Sequence, residues 1–131
     1  MESNQVYIYD NICNQMCQIK GIRFVAIINN RGRKIAGGFS SNIIPLENDI
    51  QKMEMLFMEV ALDLSMRKEF DDSLGNISAI VSYRNKANII TVPHQNNLML
   101  ISSEPELNPN KVISMARQSL RPIKILEVVN R

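Results

Sequence analysis

The sequence predicts an α+β fold, a sandwich of helices on both faces of one five-stranded antiparallel sheet. Three observations carry that expectation. Short runs rich in β-branched and aromatic residues are separated by polar turns at residues 30–33, 85–88 and 94–97. A 25-residue stretch at 47–71 has neither Gly nor Pro and carries helical periodicity. The element order is helix, strand, strand, helix, strand, strand, strand, helix. Tight turns inside each strand group make the sheet antiparallel. One long helix covers one face, which leaves the N- and C-terminal helices to cover the other.

Residues 4–20 read as the first helix, with Ile8, Tyr9, Ile12, Met16 and Ile19 as its apolar stripe, Cys13 at the edge and Gly21 as a stop. Residues 22–29 (IRFVAIIN) read as a largely buried strand. Asn30-Arg31-Gly32-Arg33 has turn chemistry, and 34–39 (KIAGGF) return as a second strand. Gly37 and Gly38 mark a bulge or a close backbone approach. Residues 40–46 form a loop around Pro45.

The long helix, 47–71, is expected to take Asn48 as its N-cap, with Asp49 in its first turn and Arg67 and Lys68 in its last. At about 100° per residue, Ile50, Met53, Leu56, Phe57, Val60, Ala61 and Leu64 share one side. A second apolar set, Met55, Met58, Leu62 and Met66, falls on the opposite side. Lys52, Glu59 and Asp63 separate the two sets on one flank, and Glu54, Ser65 and Lys68 on the other. A surface helix needs one apolar stripe. Two predict a helix sandwiched between its own sheet and something else.

Gly75 and Asn76 end that element. Residues 77–84 (ISAIVSYR) alternate as a half-buried strand, Ile77, Ala79, Val81 and Tyr83 on one side, Ser78, Ile80, Ser82 and Arg84 on the other. Residues 89–94 and 98–102 are the fourth and fifth strands, and Pro93 marks an irregular strand end. A last helix spans about 110–120, with Val112, Ile113, Ala116 and Leu120 on one face, and Pro122 ends or kinks it. The whole of 1–131 is a single domain, with 122–131 as a C-terminal extension that fits a short helix or an added strand.

Composition narrows the function classes. The chain has 131 residues, 45% hydrophobic and 21% charged, long enough for one proper core. With aromatics at 5% and no Trp, aliphatics and eight Met fill that core. A net charge of +2 gives no argument for nucleic acid or a membrane surface. No apolar run approaches the roughly 18–20 residues of a membrane span, and MESNQVYIYDN lacks the basic n-region and apolar core of a signal peptide. The expected compartment is the cytoplasm.

The sequence shows no catalytic constellation, no metal set and no cofactor motif. GxxxxGK[ST] and GxGxxG are both absent. Arg33-Lys34 with Gly37-Gly38 imitates a phosphate loop only weakly and reads as a hairpin. His94, the single His, reads as a turn residue with no nucleophile placed beside it. Cys13 and Cys17 lack the further ligands zinc needs and read as reduced core thiols. Glu47, Asp49 and Glu54 read as acids favoured by a helix N-terminus rather than as a carboxylate site. Arg31, Arg33 and Lys34 make a small basic tip, a candidate contact for an acidic partner or a phosphate, although a solvated turn would look the same.

In element order and length, residues 4–121 resemble the roadblock/dynein light-chain superfamily. GIRFVAIINNRGRKIAGG (21–38) looks like that family's first hairpin, and the long helix running into NISAIVSYR (76–84) looks like its centre. The profilin-like fold and the longin domain share much of this layout. The Met-rich long helix and the tail beyond Pro122 depart from the family, and the composition suits an archaeal member. The resemblance implies dimers or heterodimers whose third strands pair edge to edge and whose long helices lie side by side. It also implies scaffolds or regulators of small Ras-like GTPases. Mapped here, the pairing edge is 77–84 and the helix contact is the second stripe. The expected interface is therefore Met55, Met58, Leu62, Met66, Ile77, Ala79, Val81 and Tyr83, with itself or a paralogue as mate. A small-ligand sensor of similar shape is the competing expectation, weakened by the scarcity of aromatics.

Overall fold

The computed structural model describes residues 2–129, with side chains described over residues 4–123. Alternating and continuous apolar runs build five strands: β1 (Ile22–Ile28), β2 (Lys34–Phe39), β3 (Ile80–Tyr83), β4 (Asn88–His94) and β5 (Asn97–Ser103). They form one sheet in the order β2-β1-β5-β4-β3, antiparallel throughout. β1, β4 and β5 are buried along most of their length, as their β-branched sequences require. The edges are β2 and β3.

Two apolar layers lie on the two faces of the sheet. On one face, α1 (Glu2–Cys17) and α4 (Pro109–Val129) pack on the odd positions of β1 and their neighbours. Tyr9, Ile12, Met16, Val112, Ala116, Leu120 and Ile123 meet Val25, Ile27, Ile90, Val92, Met99 and Ile101 there. On the other face, α2 (Ile50–Arg67) sets Phe57, Ala61 and Leu64 on Phe24, Ala26, Ile28, Leu98 and Leu100. Phe24 links Phe57 and Phe39, stacked on the first at 6.0 Å and edge-on to the second at 4.9 Å. Each fully buried aliphatic or aromatic side chain in these layers contributes about 1.5–3 kcal/mol.

The predicted elements appear with shifted limits. Asp49, not Asn48, is the N-cap of α2: its carboxylate accepts from the N–H groups of Gln51 and Lys52. The helix does not run on to residue 71 as one piece. It tightens into a 3-10 turn at Lys68–Phe70, and a short α3 (Asp71–Leu74) follows. Gly75, at φ +86, then turns the chain.

β3 starts at Ile80 rather than Ile77, because residues 75–79 have irregular backbone. The alternation expected from 77 therefore breaks. Val81 packs toward α1 and α4, whereas Ile77 joins Ile80 in the layer under α2. α4 passes through Pro122 and continues to Val129, so the proline does not end it. Residues 130–131 lie outside the described residues.

The β1–β2 hairpin is held at its turn by Asn29, whose side-chain oxygen accepts from the N–H groups of Arg31 and Arg33 at 2.9 and 3.0 Å. Gly37 is the close approach predicted for the glycine pair. Its N–H donates to Asp10 of α1 at 2.8 Å, and its φ is +93. The pairing irregularity of the two strands lies elsewhere, at Ile27/Ile28.

Candidate interaction surface

The second stripe of α2 is bare. Met55, Met58, Leu62 and Met66 are 60–67% exposed, while Phe57, Ala61 and Leu64 on the opposite side of the same helix are buried. Their spacing puts the four side chains in one row along the solvent side of α2. Phe70, at 58%, extends the apolar surface past the helix end. The polar flanks carry both signs of charge, and Asp63 and Arg67 pair across one turn at 3.0 Å.

The chain brings the basic tip to this row. A Cβ at Gly32 would stand 2.6 Å from Cα of Met58, so the hairpin turn rests on the backbone of α2. Arg31, Arg33 and Lys34 are exposed there. With Glu47, Glu54, Ile50, Met53 and Met58 they line a cleft of about 710 Å³ beside the start of the helix.

The edge residues divide. Among the described residues β3 pairs only with β4, which leaves its other side open. Tyr83 is 74% exposed and lines a second cleft, of about 840 Å³, between α2 and the β3–β4 turn. Ala79 and Val81 are half-buried beside α4. Ile77 faces the α2 layer and so belongs to the other side of the sheet. The structure thus groups Met55, Met58, Leu62 and Met66 on one surface with the basic tip, and places Ala79 and Val81 at the sheet edge below.

Two features escaped the sequence reading. Ile50, expected on the buried stripe, is 75% exposed, on the wall of the cleft beside the start of the helix. Ile44 and Leu46 of the preceding loop are exposed as well. The apolar run Ile43-Ile44-Pro45-Leu46 in a loop was the available signal. Arg23 was also missed. It bridges Glu104 at 2.7 Å and the Ile44 carbonyl at 2.8 Å, fixing that loop to the strand layer.

The residues set aside as non-catalytic are placed as follows. His94 ends β4, is buried, and meets the ring of Tyr9 edge-on at 6.1 Å. Cys13 is fully buried and Cys17 half-buried, both free thiols. Burial, helped by Cys17 and Asp10 and opposed by Lys34, pushes the Cys13 thiol up to about 12, so it stays protonated. Asp49 is committed to its cap, and Glu47 accepts from the Asp49 N–H at 3.3 Å. Among the described residues no group of three His, Cys, Asp or Glu could hold a metal ion. No helix among them is long and apolar enough to cross a membrane.

Solved structures share this arrangement. The roadblock/LC7 domain of Streptomyces avermitilis superposes at a TM-score of 0.67 with 10% identity, over 88% of this chain and 97% of that one. MglB of Myxococcus xanthus gives 0.74 with 10% identity, over 95% and 91%. An MglB in a tetrameric arrangement gives 0.71 with 11% identity, over 86% and 84%. Profilins show the same layout. At such identities the likeness shows the roadblock fold, with its profilin-like architecture, and nothing finer. Among curated proteins none matches this sequence. The sequence pattern that does match spans residues 1–121, and by it the chain belongs to DUF6659, a family of unknown function.

Proposed function

We propose that this protein is a non-enzymatic scaffold or regulatory module of the cytoplasm. It assembles with a second chain of its own fold, itself or a paralogue, and presents the pair to a small Ras-like GTPase or another protein. The observation that carries this reading is the row Met55, Met58, Leu62 and Met66, left more than half exposed by its own chain. Four such side chains offer several hundred Å² of apolar surface, about the size of a functional patch. Methionine suits an adaptable contact because its thioether chain is flexible and polarisable.

The open side of β3 supports the same mode. A strand with unpaired N–H and C=O groups and few charges to protect it adds a neighbour readily. A tetrameric arrangement of MglB shows that one protein of this fold self-associates. The GTPase rests on the roadblock resemblance, and Arg31, Arg33 and Lys34 are the groups here with the charge to meet an acidic partner. GTPase activation by Arg31 or Arg33 acting in trans is one form this could take.

The test is solution mass by light scattering across a dilution series, on the natural chain and on Met58→Glu/Leu62→Glu. The natural chain should approach twice 14.9 kDa at high concentration. The double variant should stay at 14.9 kDa with unchanged circular dichroism, since both side chains are exposed. A double variant that assembles like the natural chain would show that the surface is wrongly assigned.

The clefts of about 840 and 710 Å³ on either side of α2 favour a second reading, a small-ligand sensor. A metabolite that raises the melting temperature of the natural chain and of Met58→Glu/Leu62→Glu alike would favour it.

A further inference from the structure

α4 packs on β4 and so overhangs the open edge of the sheet. Between it and residues 78–81 lies a groove of about 610 Å³. Ala79 and Val81 form one wall, and Ile113, Ser114, Arg117 and Arg121 the other. Arg117 and Arg121 are one helical turn apart and exposed. Among the described residues they are the only charged ones lining the groove. Among the described residues neither pairs with an acid.

That charge bears on the choice of mate. A two-fold pairing is isologous: the same patch meets itself. If two identical chains pair along β3, their α4 helices approach on one face of the joined sheet. Four arginines then gather there with no acid from either groove to offset them, and like-charge juxtaposition works against that pair. The α2 face raises no such conflict, since Lys52, Glu59, Asp63 and Arg67 mix both signs along its flanks.

We propose that the preferred mate across β3 is a non-identical chain of the same fold that carries acidic side chains where this one carries Arg117 and Arg121. This rests on the edge-pairing reading above and sharpens it from either mate to one. Self-pairing is the weaker, salt-assisted state, and the basic grooves select against it.

The experiment mixes the natural chain with an equal amount of Arg117→Glu/Arg121→Glu, a stand-in for the acidic mate. Native mass spectrometry resolves the three pairs at low ionic strength. The ratio of mixed to like pairs, one to one when pairing is random, should rise to at least about three to one, the scale of one or two exposed charge pairs. The excess should fade in about 0.5 M salt, where screening is nearly complete over these separations. In parallel, Arg117→Gln/Arg121→Gln should self-associate more tightly than the natural chain. This second variant carries the test if the charge reversal disturbs folding. A random mixture of pairs at low salt, with the natural dimer intact, overturns the charge selection and leaves edge pairing standing. A mixture containing only monomers removes edge pairing itself, and this inference with it.

Discussion

Gly37 and Gly38 stand side by side in β2, yet only one of them has to be glycine. At Gly37 a Cβ would lie 2.2 Å from the Val25 carbonyl oxygen and 2.7 Å from Cα of Ala26, with φ at +93. Those neighbours are strand backbone and cannot swing aside. At Gly38 a Cβ would meet nothing within 4 Å. Gly37→Ala should therefore cost about 2–4 kcal/mol, and Gly38→Ala less than about 0.5, by urea unfolding of each. Equal effects would mean that the close approach does not hold β2 on β1. The pair was legible in sequence as a special position. Which member mattered was not, because the answer depends on Asp10 and Cys13 of α1 arriving from elsewhere in the chain. Cys13 gives a second prediction at this scale. An unfolded thiol titrates near 9.0 and the folded one near 12. Between those values the unfolded chain holds fewer protons, so stability falls as pH rises, by at most about 4 kcal/mol. Below pH 9 the contribution is fully present. Unfolding measured under reducing conditions from pH 8 to 11 should show this slope, and Cys13→Ala should lose it. A slope unchanged in the variant would place the titration on another group.

At the scale of elements, local pattern located nearly every segment and misjudged the ends. Asn48 and Asp49 are equally good caps by type. Only the path of the chain out of the loop decides that Asp49 reaches the first turn of α2. The buried stripe was right for Phe57, Ala61 and Leu64 and wrong for Ile50, since periodicity marks a side of a helix and not which of its turns the rest of the chain covers. β3 was overestimated at its start for a similar reason. Ile77 is apolar because it fills the α2 layer, not because it belongs to the strand. α4 shows how tertiary packing overrides a breaker. A proline inside a helix costs about 3 kcal/mol through its lost N–H and its ring clash. Ile123, the next residue, is buried at 2% exposure and returns about 1.5–3 kcal/mol by that burial. That burial offsets half or more of the cost, and no reading confined to the chain around Pro122 contains that term.

Across the whole molecule, two helices cover one face of the sheet and one covers the other. That imbalance leaves clefts on both sides of α2. It also leaves the outer row of Met55, Met58, Leu62 and Met66 with no layer of the described residues beyond it. The row was legible in sequence because helical spacing alone defines it. The clefts and the arginine groove were not, since each needs elements far apart in the chain to meet. If the row and the β3 edge do join two chains, assembly must appear in the stability of the fold. A mate that binds only the folded chain adds stability by mass action, about 2.7 kcal/mol at a hundred times its dissociation constant. For a domain of this size that raises the melting temperature by roughly 5–10 °C. The natural chain, scanned from about 1 to 100 times that constant as located by light scattering, should melt progressively higher. Met58→Glu/Leu62→Glu should melt at one temperature throughout, near that of the most dilute natural sample. A natural chain whose melting temperature ignores concentration gains nothing from pairing with itself. In that case the bare row of α2 serves a different chain, and a titration with that partner, rather than with more of the same protein, is what moves the transition.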